Sequence, residues 1–337
     1  MKRYVSAVDV ADLNNDSHID LVFICEAGSS IYIIFNMDKD QFAHWIEYPI
    51  SHILHSFTIA DINEDNAPDI ILGLTDSSFR ITVLINDGYG NFNSTIDIEM
   101  NSDEKVYTIL ATDINNDEKI DIIVSLANVN MIGIFINKGD LIFDEMQTYS
   151  VGQLPLSIYA DDYNNDEAID LIVANTHDHT IEIRFNDGHG RFSSRMIYSV
   201  DYGPVFVRST DLNRDNRSDL ILVNYFSNNV VIYLNTDRGN FSRYFNISAN
   251  ANPLTIALND YNNDGSIDII IPNYHSNSID VFFNDGNGMF TTTASYIVYP
   301  LPKYIVVKDM NHDGKSDIVL ANGNYVGIIL SRCLEPN

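Results

Sequence analysis

The chain has 337 residues, of which 45% are hydrophobic, and a formal net charge of −28 at pH 7. This negative charge argues against a nucleic-acid partner, because carboxylates and phosphates repel each other. No apolar run reaches the roughly 18 residues of a transmembrane helix, so we expect no direct membrane insertion. The two cysteines, Cys25 and Cys333, are too few for a disulfide scaffold. Their spacing alone favours two independent thiols over a bridge between them.

One acidic turn recurs seven times along the chain. Each copy reads Asp-x-Asn-x-Asp-x-x-x-Asp, and the copies start at Asp12, Asp61, Asp113, Asp162, Asp211, Asp260 and Asp309. Successive starts lie 49 residues apart, except for one interval of 52. A nearly constant period of this length indicates stacked supersecondary units.

The segments around each turn predict four short β-strands per repeat. In the fourth repeat, residues 156–160, 171–174, 180–185 and 196–200 have strand patterns, and a glycine-rich turn separates the last two. Four strands in about 45 to 50 residues is the length of a β-propeller blade. We therefore predict an all-β, seven-bladed β-propeller of four-stranded blades. An open solenoid is the alternative, because a period alone does not prove that a ring closes.

The repeats predict a single domain over residues 1–337, with units that start near residues 4, 53, 105, 154, 203, 252 and 301. The last repeat stops near its third strand, at residues 326–330, so we expect the seventh blade to lack its fourth strand. Such a blade leaves an exposed edge at the seam of the ring. Either the chain is a fragment of a longer protein, or the ring closes without the usual strand exchange. A fragment would also explain why no signal peptide is seen.

The acidic turns are predicted metal sites. Ca²⁺ binds six to eight oxygens at about 2.3–2.6 Å in flexible geometry, whereas Mg²⁺ retains its waters and Zn²⁺ prefers nitrogen and sulfur. Without a cation, each like-charge pair in the turn costs about 4 kcal/mol before relaxation. We therefore expect up to seven structural Ca²⁺, which would reduce the net charge from −28 to −14.

The predicted ligands are the side chains at positions one, three, five and nine of each turn, together with the backbone carbonyl of position seven. The side-chain ligands are Asp12, Asn14, Asp16, Asp20, Asp61, Asn63, Asp65, Asp69, Asp113, Asn115, Asp117, Asp121, Asp162, Asn164, Asp166, Asp170, Asp211, Asn213, Asp215, Asp219, Asp260, Asn262, Asp264, Asp268, Asp309, Asn311, Asp313 and Asp317. The carbonyl ligands belong to His18, Ala67, Lys119, Ala168, Arg217, Ser266 and Lys315.

The sixth copy, Asp-Tyr-Asn-Asn-Asp-Gly-Ser-Ile-Asp at residues 260–268, resembles the FG-GAP/VCBS repeat. That repeat builds the calcium-binding propeller of integrin α subunits, and the resemblance extends over all seven units. It implies Ca²⁺ in the loop between the first and second strands of each blade. Position six, usually glycine in the family, is Gly265 or Gly314 in two copies only. Because Glu118 and Glu167 fit a positive φ worst, we expect copies three and four to be the poorest sites.

The same resemblance implies that partners bind the face opposite the calcium loops. Loops after the second strands supply the candidate ligand-face residues, which are His177, His179, Tyr225, Phe226, Tyr274 and His275. Aromatic and histidine rings suit contacts with protein or glycan. We expect a non-catalytic, monomeric recognition or adhesion module that binds a protein ligand.

Two alternatives remain, a carbohydrate-binding lectin-like propeller and a polysaccharide-cleaving enzyme or its accessory domain. The sequence contains no Gly-x-Ser-x-Gly motif, and no Cys/His nucleophile pair can be placed, which disfavours the enzyme. Calcium sites of extracellular modules bind at about 10⁻⁴ to 10⁻³ M and would be empty in the cytosol. We therefore expect an extracellular or cell-surface location.

Overall fold

The computed structural model describes residues 5–25, 29–37, 41–50, 52–74, 80–100, 104–249, 252–298, 301–323 and 325–331. These residues form 27 β-strands in seven antiparallel sheets, six with four strands and one with three. Each sheet is one blade, and its strands pair in chain order. The predicted all-β, seven-bladed propeller is confirmed, and within the described residues the last blade has three strands, as predicted. In the described part of the chain, no helix is long and apolar enough to cross a membrane.

The strands follow one another along the chain from blade one to blade seven. They are β1 (Val5–Ala11), β2 (Asp20–Cys25), β3 (Ser30–Ile34), β4 (Ile46–Pro49); β5 (Leu54–Ala60), β6 (Asp69–Leu74), β7 (Arg80–Ile85), β8 (Ser94–Glu99); β9 (Val106–Thr112), β10 (Asp121–Leu126), β11 (Met131–Phe135), β12 (Gln147–Ser150); β13 (Pro155–Asp161), β14 (Asp170–Asn175), β15 (Thr180–Phe185), β16 (Ser194–Ser199); β17 (Pro204–Thr210), β18 (Asp219–Asn224), β19 (Asn229–Asp237), β20 (Asn240–Ser248); β21 (Ala257–Asn259), β22 (Asp268–Asn273), β23 (Ser278–Phe283), β24 (Thr292–Ile297); β25 (Pro302–Lys308), β26 (Asp317–Asn322) and β27 (Tyr325–Ile329).

The second strand of each blade is the most deeply buried. Every residue of β6, β10, β14, β18, β22 and β26 is buried, because these strands lie inside their own sheet and between the two neighbouring blades. Their sequences are accordingly near-continuous apolar runs rather than alternating ones. The fourth strands are mostly exposed, as in β16 and β24, and form the outer rim of the ring.

The core consists of seven hydrophobic clusters, and each cluster lies between two adjacent blades. The cluster at the seam joins Val8 and Leu21 of blade one to Met310 and Val319 of blade seven. The Val5 N–H also donates to the carbonyl of Gly323 at 2.6 Å. The ring is therefore closed by packing, and the open solenoid is wrong. The question of a Cys25–Cys333 bridge lies outside the described residues, because Cys333 is not among them.

Candidate functional site

The acidic turns connect the first and second strands of every blade, so all seven lie on one face of the ring. Their backbone conformation is uniform. Position four has a φ of 58–64° and position six a φ of 61–84° in every copy. Glu118 (68°) and Glu167 (69°) adopt the same left-handed conformation as the other position-six residues. The backbone therefore gives no reason to rank copies three and four below the rest.

Hydrogen bonds inside each turn gather its oxygens, as the fourth copy shows. The Asp166 N–H donates to Asp162 Oδ1 at 3.2 Å and to Asn164 Oδ1 at 2.9 Å, so these two oxygens lie side by side. The Glu167 N–H donates to Asp162 Oδ2 at 2.8 Å. Among the described residues, no group of three or more His, Cys, Asp or Glu side chains is already arranged around a common metal position. The donor set is nevertheless all oxygen, the type that hard cations such as Ca²⁺ prefer.

The aspartate at position nine has a second role that the sequence analysis did not assign. It begins the second strand and is fully buried in every copy, with 0% exposure. In blade four, Asp170 Oδ2 accepts the Tyr163 N–H at 3.2 Å and Asp170 Oδ1 accepts the Asn186 N–H at 2.8 Å. An ionised carboxylate offers about four lone-pair sites, so these bonds leave capacity for a cation. Position nine therefore holds the turn against the end of the third strand whether or not metal is bound.

An asparagine at the end of the third strand connects six of the seven turns to the next blade. Asn186 Nδ2 donates to the Ile114 carbonyl of blade three at 2.6 Å and to the Ile169 carbonyl of its own blade at 2.8 Å. Ile114 is position two of the preceding acidic turn. The equivalent blade-linking asparagines are Asn36, Asn86, Asn137, Asn186, Asn235 and Asn284. They recur at nearly the same period as the acidic turn, a signal that the sequence analysis did not use.

The blade-linking asparagine of blade one acts across the seam. Asn36 Nδ2 donates to the carbonyl of Met310, position two of the seventh turn, at 2.8 Å. The conformation of six acidic turns, all but that of blade six, is thus coupled to the packing of the following blade. A cation that ordered a turn would consequently also stabilise the contact between two blades.

Burial changes the acidity of the position-nine aspartates. Desolvation raises the pKa of Asp170 from 3.8 to about 7, although backbone N–H donors from Asn186 and Tyr163 oppose it and the charges of Asp166 and Asp162 add to it. The same cause raises the pKa to about 6 at Asp20, Asp69, Asp121, Asp219 and Asp268. A cation bound in the turn would favour the ionised form and oppose this shift.

These shifts predict that the calcium-free chain is more stable at about pH 5 than at about pH 8. A carboxyl group whose folded pKa exceeds its unfolded value stabilises the fold below the unfolded value, 3.8, and loses that contribution as the pH rises through about 6 to 7. Thermal melts in excess chelator across this range measure the effect. A melting temperature that rises steadily toward pH 8 would contradict it.

Position seven distinguishes the seven turns electrostatically. In copies three and five, its side chain is a cation beside the position-five carboxylate. Lys119 Nζ lies 3.7 Å from Asp117 Oδ2, and Arg217 Nη2 lies 2.5 Å from Asp215 Oδ2. Ala67, Ala168 and Ser266 occupy position seven in copies two, four and six. A resident cation competes with Ca²⁺ for the same carboxylate, so copies three and five are expected to bind calcium more weakly than copies two and four. Copy six is left out of this comparison, because the Arg214 guanidinium donates to Ser266 Oγ at 2.8 Å.

The opposite face carries the candidate ligand-face residues, on turns between the second and third strands. Phe226 is 59% exposed, and its ring centroid lies 5.2 Å from that of Tyr225. Tyr274 and the exposed His275 form a similar pair at 5.0 Å. The exposed His177 lies on the equivalent turn of blade four. Four of the six candidates therefore form two aromatic pairs in adjacent blades.

The structure also brings Tyr225 and Tyr274 to one cavity of about 440 Å³ at the ligand-face mouth of the central channel. Leu254, Leu301 and Lys303 line the same cavity. None of these three residues was predicted from the sequence, because they belong to the loops and strands that follow the fourth strand of the preceding blade. Only the closed ring places those segments beside the turns that carry the tyrosines.

His179 differs from the other candidates because it supports the loops. Its Nδ1 accepts the Gly203 N–H at 3.2 Å. In three other blades an asparagine takes this place, and its side-chain oxygen likewise accepts the backbone N–H of the residue 24 positions later. These asparagines are Asn130, Asn228 and Asn277. Its ring packs against that of Tyr202, with centroids 4.6 Å apart. Tyr202, which is 66% exposed, is an additional ring on this face that the sequence analysis did not name.

A family comparison identifies the repeats. The FG-GAP-like repeat model matches residues 12–72, 61–124, 113–173, 162–222, 211–271 and 260–320. The chain belongs to the FG-GAP-like repeat family. Each match runs from one acidic turn to the strand that follows the next turn, so the overlapping matches cover the ring almost completely. The resemblance inferred from the acidic turns is confirmed. No curated protein matches the chain significantly.

Solved structures similar to this FG-GAP-like propeller include proteins of different activity. BBS1N, crystallised in complex with ARL6DN, superposes with a TM-score of 0.69 at 13% identity, over 96% of this chain and 91% of that one. Virginiamycin B lyase from Staphylococcus aureus gives 0.66 at 16% identity, over 98% and 96%. A functionally unknown protein from Desulfotomaculum acetoxidans gives 0.57 at 16% identity, over 86% and 89%. At such identities the likeness shows the fold alone, which does not decide between catalysis and binding.

Proposed function

We propose that this FG-GAP-like propeller is a calcium-stabilised, non-catalytic recognition module that binds a protein ligand on the face opposite its acidic turns. The observation that carries the proposal is the group of accessible rings on that face. Phe226, Tyr225, Tyr274 and His275 surround or adjoin the cavity at the channel mouth. Aromatic side chains that are partly exposed on a rigid surface are typical anchors for protein partners.

The distribution of charge supports the same face. The acidic turns concentrate three aspartates per blade on the other side of the ring. Acidic groups near the rings are engaged within the protein. Asp201 Oδ1 pairs with Arg243 Nη1 at 2.7 Å, and Asp178 Oδ2 accepts the Gln153 N–H at 2.8 Å. The Asp201–Arg243 ion pair and the accessible rings favour a protein partner, because interface cores are depleted of charge and enriched in aromatic residues.

Calcium is proposed as the structural cofactor of the acidic turns. The side chains at positions one, three and five, together with the position-seven carbonyl, would hold the ion, and the buried position-nine aspartate would complete the set. When bound, the ion supplies the positive charge that each cluster of three carboxylates lacks. Because the blade-linking asparagines bond to position two of these turns, its binding free energy would contribute to ring stability. Sites of this type fill outside the cell, which is where we place the protein, as a monomer.

A carbohydrate ligand is the second candidate. Tyr225 and Tyr274 occupy equivalent turn positions in neighbouring blades, which gives two similarly placed rings at one cavity. Rings with an apolar face and a polar tip also suit sugars. Blade four carries Thr176 at the equivalent position, so the pattern does not continue around the ring.

Alanine substitutions at the rings test the ligand face. Phe226→Ala and Tyr274→Ala are each expected to weaken binding of a protein ligand more than tenfold, because truncation of a buried interface anchor typically costs about 2 kcal/mol. The ligand would be identified by screening a library of extracellular proteins and a glycan array with the labelled chain in millimolar calcium. Biolayer interferometry would then compare the variants.

Tyr89→Ala is the matched control, since Tyr89 is 78% exposed but lies in a glycine-rich turn on the calcium face. Binding is expected to survive this change. Equal losses for Tyr89→Ala and Phe226→Ala would show that the proposed face has no special role. Saturable binding to glycans alone would favour the lectin instead.

A further inference from the structure

The central channel contains a cavity of about 370 Å³ that the recognition proposal does not use. Its walls come almost entirely from the innermost strands of blades four to seven. They include the side chains of Tyr159, Arg208, Ile256, Ile305 and Val307. A single positively charged residue, Arg208, therefore lines a cavity whose walls combine polar residues with aliphatic ones.

Most hydrogen-bond donors of the Arg208 guanidinium have no partner within the described residues. Its Cζ lies 4.0 Å from the ring centroid of Phe206 and 4.9 Å from that of Tyr159. Its one hydrogen bond runs from Nη1 to the Val207 carbonyl at 2.9 Å. A guanidinium has five N–H donors, so four remain available. Within the described residues, no carboxylate oxygen lies within 4.0 Å of an Arg208 nitrogen, the distance that defines an ion pair.

Asp9 of blade one is the carboxylate that acts on Arg208 from a longer distance. Its Oδ1 accepts the Val10 N–H at 2.9 Å rather than a guanidinium N–H. Arg208 is half-buried, so the free N–H donors of its guanidinium remain accessible from the cavity. The channel thus contains a cation that lacks a direct ion-pair partner, together with enough space for a small group.

We propose that the central channel binds one carboxylate group, held by the Arg208 guanidinium. The planar guanidinium matches a carboxylate in a bidentate arrangement. A monoanion fits better than a doubly charged phosphate, because Asp9 already supplies negative charge nearby. The aliphatic part of the wall, which includes Ile256 and Ile305, suits the carbon stem that carries the carboxylate. The ligand class is accordingly an organic carboxylate, either a free small acid or a glutamate side chain of a protein.

The cavity lies toward the acidic turns, since Thr210 and Ile267 line it, and we place the entry of the carboxylate at the opposite, ligand face. The mouth cavity there is lined by Tyr225, Tyr274 and Lys303, and β25 runs inward from Lys303 to Val307 in the channel cavity, about 13 Å of extended strand. The other end of the channel is surrounded by acidic turns, whose charge repels anions. Where the source is a protein, the site rests on the proposed function, and a segment of that ligand must extend into the channel to bring a glutamate to Arg208.

Isothermal titration of the calcium-loaded chain with butyrate, and with N-acetyl-glutamate amide, tests the site. We expect saturable binding of at least one probe. Arg208→Met should weaken it by about tenfold or more, because it removes charge-assisted hydrogen bonds. Asp9→Asn should tighten it several-fold, because it removes the competing negative charge. Arg191→Met, which removes an exposed arginine on the calcium face, should change nothing.

Three results would overturn the site. These are absence of saturable binding by either probe, equal binding by wild type and Arg208→Met, and weaker binding by Asp9→Asn. The last would mean that Asp9 and Arg208 simply stabilise each other. If Arg208→Met does not fold, an NMR titration of the wild type with ¹⁵N-labelled arginine side chains replaces that variant. Only the Arg208 Nε–H signal should move on titration, and movement of other arginines alone would refute the site.

The two probes also distinguish the source of the carboxylate. Tighter binding of the glutamyl probe indicates a protein source, whereas tighter binding of butyrate indicates a free acid. Because the titration uses no protein partner, it reports on the channel even if the screen for a protein ligand fails. Failure of the titration would not refute the proposed ligand face, which the Phe226→Ala and Tyr274→Ala variants test independently.

Discussion

Removal of calcium should lower the melting temperature of this propeller by at least about 10 °C. A ligand that binds only the folded state stabilises it by RT ln(1 + [L]/Kd), about 1.4 kcal/mol per site at ten times Kd. Seven such turns together would contribute about 10 kcal/mol, as much as the whole stability of many domains. Because the blade-linking asparagines bond to these turns, the loss would spread through the blade contacts. Scanning calorimetry in millimolar calcium and in excess chelator measures the difference.

Calcium titration of the metal-free chain should also resolve two classes of site. Copies two and four have Ala67 and Ala168 at position seven, and they should fill first. Copies three and five should fill last, because Lys119 and Arg217 already lie beside the position-five carboxylates. Magnesium at the same concentration is the control and should stabilise much less. A melting temperature independent of calcium, with no ion bound, would refute the metal assignment.

Substitutions at positions nine and five of one turn should have opposite dependence on calcium. Asp170→Ala should destabilise the calcium-free chain by about 3 kcal/mol or more, because it leaves the buried N–H groups of Tyr163 and Asn186 without acceptors, at about 1–3 kcal/mol each. Asp166→Ala is the matched control in the same turn. Its side chain is exposed, so it should change calcium-free stability by only about 0.5 kcal/mol.

The two variants are best compared by thermal melts with chelator and with calcium. In chelator, only Asp170→Ala should melt several degrees below wild type. In calcium, Asp166→Ala should fall below wild type as well, since it loses a ligand of one site. The isosteric Asp170→Asn retains one acceptor oxygen and should be intermediate. Equal stability of Asp166→Ala and Asp170→Ala in chelator would show that the buried position has no role beyond metal binding.

The architecture was predictable from the sequence because it depends on local, repeated chemistry. The acidic turn and the strand patterns around it recur with almost constant spacing, and a single unit of this size cannot bury its apolar surface without neighbours. The same repetition identified the candidate oxygen ligands of every turn. Even the short last blade followed from counting strands. None of these conclusions needed knowledge of which distant residues come into contact.

Closure of the ring was decided only by the tertiary structure. Val5 meets Gly323, and Asn36 meets Met310, through backbone and side-chain hydrogen bonds between the two ends of the chain. Asn186 likewise reaches Ile114, 72 residues earlier. A sequence period shows that units repeat, but it does not show that the first unit contacts the last. The sequence analysis therefore assigned Asp170 to metal alone, whereas burial between blades also makes it an acceptor for two backbone N–H groups.

The ligand side shows the same division. Aromatic residues on the turns after the second strands were visible in the sequence, but the role of each was not. His179 supports a neighbouring loop, while Tyr225 and Tyr274 share a cavity with Lys303. In the sequence Arg208 is one residue of a predicted strand, and only the closed ring places it in the central channel. The sequence determined which units form, because hydrogen-bonding and apolar patterns act locally; the tertiary structure decided which side chains face a cavity, because that depends on how seven blades meet.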